Sequence, residues 1–210
     1  LNRFPGQAFG AYAVRADQAW RFEVRYGPGA FACRGAFPVE GGGTVIRVAI
    51  DGPAGVGKSS TSKALAKYYG FAYLDTGAMY RACTWWCLHK GIDLDADIVD
   101  EQVITETVGE FFTEGHFDIS VDPDNPKVTA DGVDISAEIR SSEVSSHVSK
   151  VSNVIPVRHV LLAAQRAYIA RAASADSFSR GLGVVAEGRD ITTVVAPDDE
   201  VRTLLTAREE

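Results

Sequence analysis

The chain has no apolar run approaching the roughly 20 residues that span a bilayer. It also lacks a basic segment followed by a continuous apolar core, so no secretory signal is readable and a cytoplasmic protein is expected. It has no excess of positive charge: 21 Lys and Arg against 28 Asp and Glu give a net charge of −7. A general nucleic-acid binder, which needs a basic face, is therefore not expected. A small anionic substrate needs only a few local arginines and stays open. Cysteine is scarce, with Cys33, Cys83 and Cys87 the three present. That is too few for a disulfide framework. Cys83 and Cys87 stand four apart on one face of a predicted helix, with no second Cys/His pair at zinc spacing, and are expected as small buried hydrophobes. No internal repeat or low-complexity tract is visible, and 210 residues suit one domain with a small insertion or a tail.

What is present begins at Val45. Val45-Ile-Arg-Val-Ala-Ile50 is β-rich and apolar on both faces, the pattern of a central parallel strand. Asp51-Gly-Pro-Ala-Gly-Val-Gly-Lys-Ser59 follows and fits G-x-x-x-x-G-K-[ST] through Gly52, Gly57, Lys58 and Ser59. Glycines let consecutive backbone N–H groups converge on phosphate oxygens, and the following helix adds the positive end of its dipole. Lys58 suits the β/γ-phosphates, and the Ser59 hydroxyl suits Mg2+. A nucleoside triphosphate is implied.

The rest of the chain reads as an α/β alternation. Helix is predicted over 58–69, stopped by Gly70, then strand over 71–74 and helix from Ala78 to Lys90, closed by Gly91. A third helix is predicted from Asp95 to Phe112. A small β-meander follows, with strands at 117–121 and 127–130 around Asp122-Pro-Asp-Asn-Pro126. Helix is predicted over 136–151 and from Val157 to about Ala173, with Pro156 opening the latter. Val184-Val-Ala186 and Val201 to Thr206 are further strands. Residues 1–43 look different: they hold five arginines and no lysine, with no sustained period beyond a weak alternation from Gln18 to Tyr26. They are expected to be a poorly ordered extension joined through Gly41-Gly-Gly43.

In an open α/β sheet, ligands gather at the carboxyl ends of the strands. Three such ends carry polar residues: the glycine-rich loop, Asp75-Thr-Gly-Ala-Met-Tyr-Arg81, and Glu187-Gly-Arg-Asp190. Arg81 and Arg189 converging beside a triphosphate site would imply a phosphoryl acceptor that is itself a phosphate.

Four stretches taken together, Ile50 to Ser60, Leu74 to Arg81, Asp134-Ile-Ser-Ala-Glu-Ile-Arg140 and Val185 to Ile191, resemble the bacterial cytidylate kinases, with the likeness running from Val45 to Thr206. The resemblance implies a P-loop nucleoside-monophosphate kinase of the α/β class: a parallel sheet flanked by helices, with a small β-containing monophosphate-binding insert at about 93–135 of a domain covering 44–210. It implies transfer of phosphate from ATP to CMP or dCMP, with ATP and Mg2+ as cofactors. Gly52, Pro53, Ala54, Gly55, Val56, Gly57, Lys58, Ser59 and Ser60 would hold ATP, with Ser59 on the metal. Thr76, Tyr80 and Arg81 would line the monophosphate site, Arg81 on its phosphate. Ser149 and Arg158 fall where the family contacts cytosine. Arg189 would face phosphate and Asp190 the base. Lys58, Arg81 and Arg189 would be the catalytic charges, with Glu187 or Asp51 as outer-shell carboxylates of Mg2+. The expected partners are these small molecules, without nucleic acid or membrane, and a monomer is expected.

Two departures stand out. The family usually has glycine where Thr192 stands, and its last strand and arginine-rich lid are missing from the sequence. A C-terminally truncated chain, opening on Leu1 and with impaired transfer, is therefore expected. The alternatives are a P-loop kinase for another small acceptor, or a nucleotide-binding fragment without activity.

Overall fold

A computed structural model describes residues 45–96 and 98–206, together with three strands nearer the N-terminus. Those strands are β1 (Phe9–Ala16), β2 (Ala19–Tyr26) and β3 (Ala30–Pro38), antiparallel in the order β1-β2-β3. The weak alternation from Gln18 to Tyr26 coincides with β2. Pairing between sequence neighbours needs no apolar period, which is why the other two strands left so little trace in the pattern. The Gly41-Gly-Gly43 joint lies outside the described residues.

The chain divides into two compact units, the first holding residues 1–73 and 171–210 and the second residues 74–170. The first unit is built on β4 (Ile46–Asp51). The helix α1 (Lys58–Tyr69) follows, ended by left-handed Gly70, whose N–H reaches the Ala66 and Lys67 carbonyls. Strand β5 (Ala72–Asp75) runs out of this unit into the second. Strands β9 (Gly183–Gly188) and β10 (Val201–Leu204) complete a sheet of order β10-β4-β9-β5, with β4 parallel to both neighbours. The central position expected of β4 is what its two-faced apolar sequence requires. Val48, Ile50, Leu65, Ala66, Phe71, Tyr73, Val185, Val201 and Leu205 form its buried core.

The second unit holds α2 (Thr76–His89), α3 (Glu101–Thr113), a meander of β6 (Phe117–Ile119), β7 (Val128–Ala130) and β8 (Val133–Asp134), then α4 (Ser142–Ser152) and most of α5 (Ile155–Ala172). Aromatic rings fill its core. Trp86 stacks on Phe111 with centroids 4.6 Å apart, Phe117 meets Phe111 edge-on at 5.3 Å, and Tyr168 meets Phe117 at 5.7 Å.

α2 and α5 each start two residues earlier than predicted, at Thr76 and Ile155, and larger differences lie elsewhere. α3 starts at Glu101 rather than Asp95, because the Asp100 carboxylate caps the Gln102 and Val103 amides. Asp95 is drawn instead to Lys150 at 2.9 Å and His147 at 3.0 Å, and these donors hold its carboxyl below the ordinary value, Lys150 most strongly. The helix predicted over 136–151 is broken, since Ser141 turns extended and its hydroxyl caps the Val144 amide. A short 3-10 turn, Glu138–Arg140, precedes that break. The third strand of the meander, β8, was not expected.

Candidate active site

The loop between β4 and α1 depends on backbone freedom. Gly52, Gly55 and Gly57 have φ of 154°, 81° and 86°. A Cβ on Gly52 would stand 2.4 Å from the Leu205 carbonyl oxygen, so the loop's first residue admits no side chain. No side chain caps α1 at Gly57, and its first turn holds no acidic residue. No side-chain carboxylate or hydroxyl therefore competes with an anion for the positive end of α1. Lys58 bends back over the loop, and its Nζ donates to the Pro53 carbonyl at 2.6 Å. The lysine thereby closes back onto the loop that precedes its own helix. Ser59 and Ser60 are exposed in the first turn of α1.

The turn after β9 lies in the same unit. Arg189 is exposed and Asp190 half-buried. A π-helical turn, Ile191–Val195, follows, with Asp190 at its head. This turn is fastened to the root of the glycine-rich loop by Asp51. The carboxylate accepts from the Ile191 amide at 2.8 Å, the Thr192 amide at 2.9 Å and the Thr192 hydroxyl at 2.5 Å. Both Asp51 oxygens are therefore engaged. Glu187, the other carboxylate expected near a metal, is buried and accepts the Tyr73 hydroxyl. Among the described residues no group of three or more His, Cys, Asp or Glu is arranged to hold a metal ion.

Thr76, Tyr80, Arg81, Ser149 and Arg158 all belong to the second unit. Asp75 caps α2 through the Ala78 amide at 2.9 Å, setting Thr76 buried and Tyr80 and Arg81 half-buried on that helix. Arg81 is held by the Ser145 hydroxyl at 2.8 Å and the Ile139 carbonyl at 3.3 Å. Ser149 on α4 and Arg158 on α5 are exposed. Arg140, within one of the four family-like stretches, was not among the expected site residues. It donates to the Ser136 carbonyl at 2.7 Å and lies 3.6 Å from the Asp75 carboxylate, so a second guanidinium stands near the start of α2. Nor was Asp51 expected as the anchor of the second turn, whose partners are 140 residues away. Cys83 and Cys87 are buried, as expected. Burial pushes both thiols up, Cys87 to about 12, so neither is a ready thiolate.

A family model described as cytidylate kinase matches residues 48–210. The chain belongs to the cytidylate kinase family. A cytidylate kinase of Streptomyces griseus is 46% identical over 172 residues, covering 82% of this chain and 68% of the relative. One of Streptomyces avermitilis is 47% identical over 165 residues, 79% of this chain and 64% of its own length. One of Caldanaerobacter subterraneus is 43% identical over 162 residues, 77% of this chain and 62% of its own length. The chain thus spans about two thirds of the length of these curated relatives. The α/β core with a parallel sheet and a small antiparallel sheet agrees with that family. No helix among the described residues is long and apolar enough to cross a membrane.

Proposed function

We propose that the chain transfers the γ-phosphoryl group of ATP to the phosphate of CMP or dCMP. One observation carries the reading: a glycine-shaped loop with Lys58 bent across it is tied, through Asp51, to the turn that presents Arg189 and Asp190. In this proposal Gly52 to Ser60 cradle the ATP phosphates through the loop backbone, the positive end of α1 and the Lys58 ammonium. Arg81 and Arg189 grip the acceptor phosphate, and Thr76 and Tyr80 line its pocket. Ser149, Arg158 and Asp190 read cytosine, whose amino group needs an acceptor and whose carbonyl needs a donor.

Catalysis is positioning plus charge neutralisation. An acceptor phosphate oxygen attacks the γ-phosphorus in line, while Lys58 and the arginines offset the charge that spreads over the transferred group. Mg2+ fits the residues present. Ser59 offers a hard hydroxyl oxygen in an exposed first turn, and a magnesium ion completes its shell from phosphate oxygens and water rather than from a protein cage. When bound, it would neutralise β- and γ-phosphate charge. The enzyme is read as a cytoplasmic monomer acting on free nucleotides.

The test is an acceptor panel. ATP and Mg2+ are supplied with CMP, dCMP, UMP, AMP or shikimate, and labelled product is separated. The reading expects CDP or dCDP to form fastest. Faster transfer to shikimate or to another non-nucleotide alcohol would overturn it.

A further inference from the structure

We propose that Asp51 is a positioning residue for the acceptor. Its carboxylate, at the root of the donor loop, holds in place the turn bearing Arg189 and Asp190, and Thr192 adds a third donor to that hold. The proposal rests on the reading of Arg189-Asp190 as the acceptor side.

The first amides of a helical turn have no partner within it. In the turn after β9, the later amides are satisfied internally. Val194 and Val195 donate to the Asp190 carbonyl at 2.9 and 3.2 Å, and Ala196 donates to Ile191 at 2.8 Å. The two leading amides, of Ile191 and Thr192, go to Asp51. Ile191 is fully buried, so without Asp51 its N–H would be left unsatisfied away from water. The Thr192 hydroxyl adds a further 2.5 Å bond to Asp51.

Dependence on this side chain is one-sided. The donor loop is anchored without it. β4 is paired on both edges, the Leu205 amide donates to the Asp51 backbone carbonyl at 2.8 Å, and Gly52 is backed by Leu205. Losing the carboxylate therefore frees the acceptor turn and leaves the donor loop standing. An outer-shell role toward magnesium would give the reverse pattern, with ATP·Mg2+ binding affected and CMP binding spared. With three donors already on its two oxygens, Asp51 suits the clamp.

The experiment is calorimetric titration of CMP and of ATP·Mg2+ into the full chain and into Asp51→Asn, Arg189→Ala and the double variant. Amide hydrogen exchange at residues 191 and 192 is followed in parallel. The side-chain amide that Asp51→Asn introduces turns one acceptor into a donor facing an N–H. CMP should weaken about tenfold or more while ATP·Mg2+ stays within about threefold. In the Arg189→Ala background the same change should cost CMP clearly less than it does in wild type, the remainder acting through Asp190 on the same turn; a purely structural role would leave the cost unchanged. Thr192→Val should weaken CMP by a smaller factor, and Thr192→Ser should restore it. That pair keeps the proposal testable if Asp51→Asn fails to fold. Equal losses for both ligands, a loss confined to ATP·Mg2+, or full additivity with Arg189→Ala would overturn the proposal. If the wild-type chain takes up no CMP, the acceptor reading falls, and exchange still decides the clamp. Slow exchange in wild type and fast exchange in Asp51→Asn upholds it; equal rates refute it.

Discussion

The turns that leave β4 and β9 meet the same requirement by different means. Each must turn the chain sharply at the carboxyl end of a buried parallel strand and leave polar groups facing outward. The turn after β4 does this with glycine: three left-handed or otherwise positive φ values, one position with no room for a Cβ, and a lysine folded over the result. The turn after β9 has no residue of positive φ between Gly188 and Ala196, and it is built largely from β-branched side chains. Its shape comes from a carboxylate borrowed from the first turn. A loop that carries its own geometry can be recognised from a dozen residues. A loop that borrows its geometry cannot.

The largest effect should come from forcing a side chain into the first turn. Gly52→Ala places a Cβ against a backbone oxygen at a φ that L residues rarely adopt. A loss of about 3 kcal/mol or more in denaturant unfolding is expected, together with loss of ATP binding. Near-wild-type stability would mean that the glycine does not shape the turn.

A control lies at the opposite end of β4, beside the start of β10. Arg47, near the start of β4, pairs with Glu200 at 3.2 Å and with Asp199 at 3.5 Å. Burial pushes the Asp199 carboxyl from its ordinary 3.8 up to about 6, against the pull of Arg47. The folded state therefore binds this proton more tightly than the unfolded state, and stability should fall as pH rises from about 4 to about 6. Asp199→Asn should remove that slope and raise stability at pH 7 by about 1–3 kcal/mol, read from unfolding curves, without changing either nucleotide affinity. A change in CMP affinity would show that the two ends of the sheet are not separable.

The smallest effect belongs to the second unit. His116 is held by Asp131 at 2.5 Å and Glu114 at 3.2 Å, and these partners raise its ring above the ordinary 6.5. The raised value makes this contribution complete below pH 6.5 and lost as pH climbs through the folded value. Protection against hydrogen exchange in the 117–130 hairpin, corrected for the intrinsic base-catalysed rate, should fall over that range. In His116→Gln the protection, corrected for the intrinsic base-catalysed exchange rate, should not vary with pH, and an unchanged pH dependence of protection would remove His116 as its source.

How far the sequence could be read follows the same division. α1 runs from Lys58 to Tyr69 as predicted, since Gly57 and Gly70 mark its ends locally. The sheet strands fall within a residue or two of their predicted starts, because apolar runs bounded by polar turns are local signals. The start of α3 and the break at Ser141 were missed, because a capping carboxylate or hydroxyl competes with helix in a way that periodicity does not register. Asp51 and the supports of Arg81 were beyond reach for a different reason. Asp51 finds its partners 140 residues on, and Arg81 meets Ser145 64 residues on. Nothing local marks either pairing.

If donor and acceptor are held by separate turns of one chain, their affinities should come apart under mutation. A crossed titration of ATP·Mg2+ and CMP into Lys58→Ala and Arg189→Ala decides the matter. Removing one charge-assisted hydrogen bond should weaken the ligand it serves about 10- to 100-fold. Lys58→Ala should lose ATP·Mg2+ and keep CMP, and Arg189→Ala should lose CMP and keep ATP·Mg2+. Parallel losses of both ligands in both variants would contradict this division of labour.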